Sequence, residues 1–183
     1  MIEKKKNIEN NISISIASID DVAAIQEVYY KTWLATYPND EFGITVDDIE
    51  DRYKNRLDED IITKRKEKIA NPPEGQKLFV AKNGNQVVGI CRAVRKSDRN
   101  QLQTIYVLPE YQGKGIGFKL WNEARKTFDE NKDTYVEVAS YNDSAIAFYK
   151  KLGFVETGRK FSDEMSKFKS GSMIPEIEMV IKV

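Results

Sequence analysis

Histidine is missing from this chain altogether, and cysteine occurs once, at Cys91, in 183 residues. Without an imidazole, Ser-His-Asp and Cys-His catalysis and histidine-ligated metal centres are excluded, so no metal is expected. One thiol closes no disulfide within the chain. Cys91 sits in the apolar run Val87 to Val94 and reads as a small buried strand residue, not as a nucleophile. Net charge is missing too: 29 basic residues balance 29 acidic ones, leaving no long-range field to gather nucleic acid. No apolar run approaches the roughly 18 residues of a membrane span, and the first residues lack the apolar segment of a secretory leader. The chain is therefore expected to be cytoplasmic, with neither nucleic acid nor membrane as a partner. A homodimer stays open.

What is present describes a globular protein, with 40% hydrophobic and 32% charged residues. One domain over residues 12–183 is expected, behind a polar lead over residues 1–11. Ile12, Ile14 and Ile16 alternate with serine, the period of a strand with one buried face. Ser18 and Asp21 form a capping-box pattern before the helical stripe of Val22, Ile25, Val28 and Tyr29. From Trp33 to Phe42 the period breaks, which predicts a loop. Thr45 and Asp48 then cap a second helix, with Ile49, Tyr53 and Leu57 on one side, continuing to Ile69. Its interspersed charges describe a solvated face. The dipeptide Asn83-Gly84 predicts a hairpin between Leu78 to Lys82 and Gln86 to Arg95. Strands are expected at Gln101 to Leu108, Thr134 to Ser140, Phe154 to Lys160 and Ile174 to Val183, with a helix from Ser144 to Leu152. The 13-residue connection Phe161 to Met173, which carries Phe161, Asp163, Glu164 and Phe168, is long enough to border a ligand site. The fold class is α/β, a mixed sheet, mostly antiparallel with one parallel crossover, covered by helices on both faces.

The most informative stretch is Gln112 to Gly117, Q-G-K-G-I-G. It follows the apolar strand that ends at Pro109 and opens a helix whose stripe is Ile116, Leu120, Trp121, Ala124 and Phe128. A helix N-terminus offers unpaired N–H groups and the positive end of the peptide dipoles, and glycine lets an anion approach that backbone closely. A pyrophosphate is the ligand group expected there. A P-loop would need G-x-x-x-x-G-K-[ST], but counting from Gly113 the sixth place falls on Phe118. A dinucleotide fingerprint, G-x-G-x-x-G, misses its third glycine at the same residue, although Glu137 lies near the ribose-binding distance. A glycine turn that merely starts a helix fits the local residues as well.

The segment Val107 to Gly117, V-L-P-E-Y-Q-G-K-G-I-G, resembles the pyrophosphate loop V-x-P-x-x-[QR]-G-x-G-[IL]-G of the GNAT superfamily of acetyl-CoA-dependent N-acetyltransferases. Asn142 to Phe154, N-D-S-A-I-A-F-Y-K-K-L-G-F, is similar to that family's N-x-x-A-x-x-F-Y-x-K-x-G-F helix. The resemblance is firm over residues 77 to 155. It implies acetyl-CoA as cosubstrate and a primary amine of a small molecule or peptide as acceptor. It also implies splayed strands 101 to 108 and 134 to 140 with the pantetheine arm between them. Tyr106 and Val107 would then present backbone groups to that arm, with Asn142 on its other side. Gln112, Gly113, Lys114, Gly115, Ile116 and Gly117 would hold the pyrophosphate.

The resemblance assigns Tyr149 as general acid, and its phenol, with an ordinary pKa near ~10, is protonated at neutral pH. By helix spacing alone Tyr149 is a core aromatic beside Ala145, Phe148 and Leu152. Glu137 faces opposite to Val136 and Val138 and is the candidate general base, acting through water. An ordinary solvated strand glutamate fits equally well. Asp40 and Glu41 are expected at the substrate entrance. The strand before the loop reads Gln, Leu, Gln, Thr over 101 to 104, where the family often carries an acid. A non-catalytic acyl-CoA-binding module is the alternative from another class.

Overall fold

Alternation of isoleucine with serine makes an edge strand, and the computed structural model places β1 at Ile12–Ile16, where it pairs antiparallel with β2 (Gln76–Asn83). The structure describes residues 11–183 except 163, 165 and 166, so residues 1–10 of the expected polar lead lie outside the described residues. Between β1 and β2 come three helices, α1 (Val22–Thr36), α2 (Val46–Tyr53) and α3 (Glu59–Ala70). After them follow β3 (Gln86–Arg95), β4 (Asn100–Val107), α4 (Ile116–Arg125), β5 (Thr134–Ala139), α5 (Asp143–Lys151), β6 (Val155–Ser162) and β7 (Pro175–Ile181). The strands form one sheet in the order β1-β2-β3-β4-β5-β7-β6. Among the described residues only β4 and β5 run parallel, as the mixed-sheet expectation requires.

Two helix boundaries differ from the periodicity. The expected loop at Trp33 is helix up to Thr36, because Trp33 packs its ring against Tyr37 (4.6 Å) and Tyr53 (5.5 Å) and carries the helix on. It stops before Pro38, which has no N–H to donate. The expected single helix from Thr45 to Ile69 is two. Turn bonds from Arg56 N–H to the Tyr53 carbonyl and from Asp58 N–H to the Asn55 carbonyl interrupt it. Arg56 explains the break: it reaches Glu27 at 2.7 Å and stacks over the Tyr30 ring at 4.0 Å. The Thr45–Asp48 capping box is present, with the Thr45 hydroxyl accepting from Asp48 N–H at 3.2 Å.

The sheet's two faces are set by alternation. Gly89 faces α4, where a Cβ would stand 3.2 Å from Leu120. Its neighbour Ile90 and the partner of Ile90, Tyr106, turn the other way, and the Tyr106 ring meets Tyr29 of α1. Helices α1 and α3 thus cover one face, α4 and α5 the other. The larger core cluster fills both layers, from Ile25 and Val28 through Val80, Ile90 and Leu102 to Leu120, Trp121 and Phe154. In a second cluster, Phe168 packs with Ile44, Ile49, Ala139 and Ile174, so the long connection before β7 closes a core as well.

A β-bulge decides where the sheet opens. The register of β3 with β4 shifts between Arg92 and Ala93, leaving Gln103 as the extra residue. The β4–β5 ladder ends one residue earlier, at Leu102 opposite Val136. The bulge bends β4 away, and from Gln103 onward the two parallel strands diverge.

Asp21 anchors the entry to α1. Its carboxylate accepts from the Ser18 N–H at 2.9 Å and hydroxyl at 3.0 Å and meets Lys82 of β2 at 2.6 Å. Burial pushes its pKa up, but the hydrogen bonds from Lys82 and Ser18 outweigh that and leave it below the ordinary value. A depressed carboxyl stabilises the fold above its unfolded pKa, and the contribution is lost as pH falls through the folded one. Asp21→Asn is expected to cost about 2 kcal/mol at pH 7 and to narrow that gap on acidification toward pH ~3. Urea denaturation of both proteins at the two pH values checks it.

Candidate active site

The loop between β4 and α4 is built from local conformation. Gly113 and Gly115 hold φ of 70° and 73°, and a Cβ at either would point into open space. These left-handed turns favour glycine and aim the peptide N–H groups outward. The first backbone bond of α4 runs from Lys119 N–H to the Gly115 carbonyl at 3.1 Å. Among the described residues, none of the N–H groups from Gly113 to Phe118 donates to a backbone carbonyl. Six consecutive donors at the positive end of a helix make an anion cradle, and the open Cβ directions leave room for the anion. Gly117 serves packing instead, since a Cβ there would press on the Phe148 ring at 3.2 Å.

The side chains of this segment do other work. Gln112 Nε2 donates to the Val107 carbonyl at 3.0 Å and closes the loop onto the strand. Lys114 turns back, donating to the Glu110 carbonyl at 2.5 Å and lying over the Tyr111 ring. Ile116 is buried in the core. The backbone N–H of Gln112 is itself bonded to the Pro109 carbonyl at 3.2 Å, so of these three residues only Lys114 and Ile116 add backbone donors to the row.

From the cradle a cleft of about 880 Å³ runs between β4 and β5. It is lined by Tyr106, Val107, Gln112, Gly113, Gly115, Ile116, Gly117, Glu137, Asn142 and Tyr149; of the residues expected at the site, Lys114 stands outside, as do Asp40 and Glu41. Leu108 N–H bonds the Val88 carbonyl, so by the alternation of an antiparallel ladder Tyr106 is bonded to Ile90 and Val107 turns its backbone groups toward the gap. What Tyr106 brings to the site is its hydroxyl, in place of the expected backbone groups. Asn142 caps α5, its Oδ1 accepting from Ala145 N–H at 3.1 Å.

Two sets of polar groups meet at the gap from opposite faces. Tyr149 comes from α5, buried to 6% exposure, and its hydroxyl makes no hydrogen bond among the described residues. Burial drives its pKa far above the ordinary value, and a charge on Tyr106 or Cys91 would drive it the same way. From the α1 face, the Tyr37 and Tyr106 hydroxyls bond each other at 2.8 Å. Burial pushes Tyr106 up to about 12, and Tyr37 also stands well above its ordinary value. Glu137 is exposed on that same face, opposite to its buried neighbours Val136 and Val138.

A family model, the acetyltransferase (GNAT) domain, matches residues 36–170. The chain belongs to the GNAT acetyltransferase family. The N-alpha-acetyltransferase RimI of Mycobacterium tuberculosis is 38% identical over 82 residues, 43% of this chain, and the match spans about half, 51%, of that relative. The PaiA N-acetyltransferase of Thermoplasma acidophilum, solved in complex with coenzyme A, superposes with a TM-score of 0.68 at 23% identity, covering 94% of this chain and 99% of its own. The ribosomal-protein-S18-alanine N-acetyltransferase of Escherichia coli gives 0.60 at 20% identity, covering 93% and 92%.

In this GNAT chain, sequence reasoning missed three features of the site. Tyr37 lies 69 residues from its partner Tyr106, and no local pattern joins them. Tyr141 donates to the Tyr37 carbonyl at 2.9 Å and stacks on Phe42. The indole N–H of Trp33 is buried without a hydrogen-bond partner among the described residues, close to the Tyr106 hydroxyl but outside bonding geometry. Cys91 is fully buried, and burial raises its thiol far out of the reactive range.

Proposed function

We propose that this enzyme transfers the acetyl group of acetyl-CoA to a primary amine of a small molecule or peptide by direct attack in a ternary complex. The observation that carries the reading is the continuity of one cleft from the row of unpaired N–H groups at Gly113 to Phe118 into the gap beside Tyr149. The cradle residues fit a pyrophosphate, and Val107 and Asn142 flank the path that a pantetheine arm would follow. Acetyl-CoA supplies an activated thioester there. Coenzyme A bound to the Thermoplasma acidophilum neighbour supports the choice of cosubstrate.

The amine arrives as an ammonium ion and attacks only after losing a proton. Glu137, exposed on the α1 face, accepts that proton through water. Tyr149 approaches from the opposite face and donates a hydrogen bond to sulfur as charge develops on it. Burial keeps its phenol protonated throughout the neutral range. The Tyr37–Tyr106 pair fixes the wall of the gap against which the amine is positioned. A direct route follows from the buried, unactivated state of Cys91.

Acetyl-CoA should raise the melting temperature by several degrees where NAD at the same concentration does not, because only a ligand of the native state stabilises it. A panel of amines and N-terminal peptides, followed by release of free thiol, should then identify an acceptor. Equal shifts with both ligands, or thiol release that is independent of every amine, would count against the proposal.

A further inference from the structure

A second cleft, of about 370 Å³, lies between α1, α3 and the start of β2, on the face of the sheet that carries Glu137. Its charged lining residues are Arg65, Lys68, Lys77 and Arg92, and not one aspartate or glutamate lines it; Lys77 pairs with Ala93 and turns its side chain to the opposite face of the sheet, so the charges that face the cleft are those of Arg65, Lys68 and Arg92. Elsewhere the protein pairs its cations freely, with ion pairs at Lys54, Arg56, Lys82, Lys132 and Arg159 among others. Among the described residues, none of Arg65, Lys68 and Arg92 forms an ion pair or a side-chain hydrogen bond. In a chain with 29 charges of each sign, a cavity lined by one sign alone is a local concentration of potential, and low-dielectric walls focus it. Gln26 of α1 lines the same cleft at 5% exposure; its side-chain amide makes no hydrogen bond among the described residues and is not sealed from solvent, so it is free to meet a ligand in the cleft.

The cleft borders the site already described. Gln103, the bulge residue at which β4 leaves β5, lines both cavities. An acceptor whose amine reaches the gap at Gln103 has this cleft as the next space on the α1 face. Resting on the proposed acetyl transfer, we infer that the cleft holds an anionic group of the acceptor, a carboxylate or a phosphate carried on the same molecule as the amine. Arg92 is half-buried beside α1 and supplies a guanidinium suited to bidentate recognition; Arg65 and Lys68 stand one turn apart on α3 and cover the mouth. Gln26 donates its amide N–H to the same anion. Glu137 and the phenols serve the ammonium end, so the favoured acceptor carries opposite charges at its two ends.

The test is an acceptor panel built from twins that differ only in acid against amide, such as Ala-Glu-Glu-Ala against Ala-Gln-Gln-Ala with both C-termini amidated, and an amino sugar with and without a phosphate. The acidic twin should show a KM at least about tenfold lower at low salt, with the advantage shrinking as ionic strength rises. Arg92→Gln and the double variant Arg65→Gln/Lys68→Gln should each erase most of that difference through KM, with kcat changed far less. The double variant lies on the exposed face of α3 and guards against a folding defect at Arg92. Calorimetric binding of each twin to the protein saturated with CoA provides a readout without turnover. Transfer that is indifferent to the twins, or a preference that survives both variants, overturns the anionic subsite and leaves acetyl transfer standing. Binding of the acidic twins that is lost in the variants, with no thiol released by any amine, retains the subsite and overturns the acetyl-transfer reading. Neither binding nor transfer overturns both.

Discussion

Replacing Gly115 with aspartate is expected to lower acetyl-CoA affinity by at least about 10²-fold. A carboxylate about 4 Å from a phosphate oxygen, at an effective dielectric near 20, costs about 4 kcal/mol, and this residue sits within the row of unpaired N–H groups. The substitution also places a side chain on a backbone with φ of 73°, so strain has to be separated from charge. Gly115→Asn does this, because asparagine has the same shape and tolerates the left-handed region. The asparagine variant should lose far less than the aspartate one. No heavy atom lies within 4 Å of the added Cβ, so neither variant clashes with the fold. Calorimetric titration with acetyl-CoA, on samples whose melting temperatures are matched, reads the difference. Equal affinities for the two variants would place the pyrophosphate elsewhere.

That prediction was available from the sequence, and the reason is locality. The cradle depends on two glycine dihedrals and on the start of one helix, and residues 107 to 121 carry all of that information in order. The parallel crossover was legible for the same reason, since a strand, a helix and a strand follow one another without interruption. Features that arise between distant segments were not legible. The bulge at Gln103 depends on how ten residues of β3 meet eight of β4. The Tyr37–Tyr106 bond joins a helix end expected to be loop with a strand position expected to offer its backbone. The break between α2 and α3 escaped the periodicity because Ile49, Tyr53 and Leu57 keep helical phase across it. The contact that interrupts the helix, Arg56 with Glu27, comes from another element. The basic cleft has the same origin, since Arg65 and Arg92 are far apart in the chain and acquire a common meaning only when α3 and β3 line one cleft.

Removing only the hydroxyl of Tyr149 is expected to lower turnover by about 10²-fold while leaving acetyl-CoA affinity nearly unchanged. The ring is a packing element in its own right, 5.7 Å from Phe154 and 5.5 Å from Phe148, and Tyr149→Phe preserves both contacts. The hydroxyl makes no hydrogen bond among the described residues, so its loss orphans no partner and costs little stability. A structural role therefore predicts wild-type turnover, and a role toward sulfur predicts a fall in kcat at saturating acetyl-CoA. Burial raises the phenol's pKa far above its ordinary value, so the proton stays in place as pH rises. Wild-type kcat should accordingly show no loss from Tyr149 ionisation up to pH about 10, where an unburied tyrosine would already be half ionised. The difference between wild type and Tyr149→Phe should be constant across that range. If the variant retains turnover under conditions where chemistry limits the rate, the sulfur leaves unprotonated or takes its proton from water. The contribution of the site would then be confined to holding the amine and the thioester together.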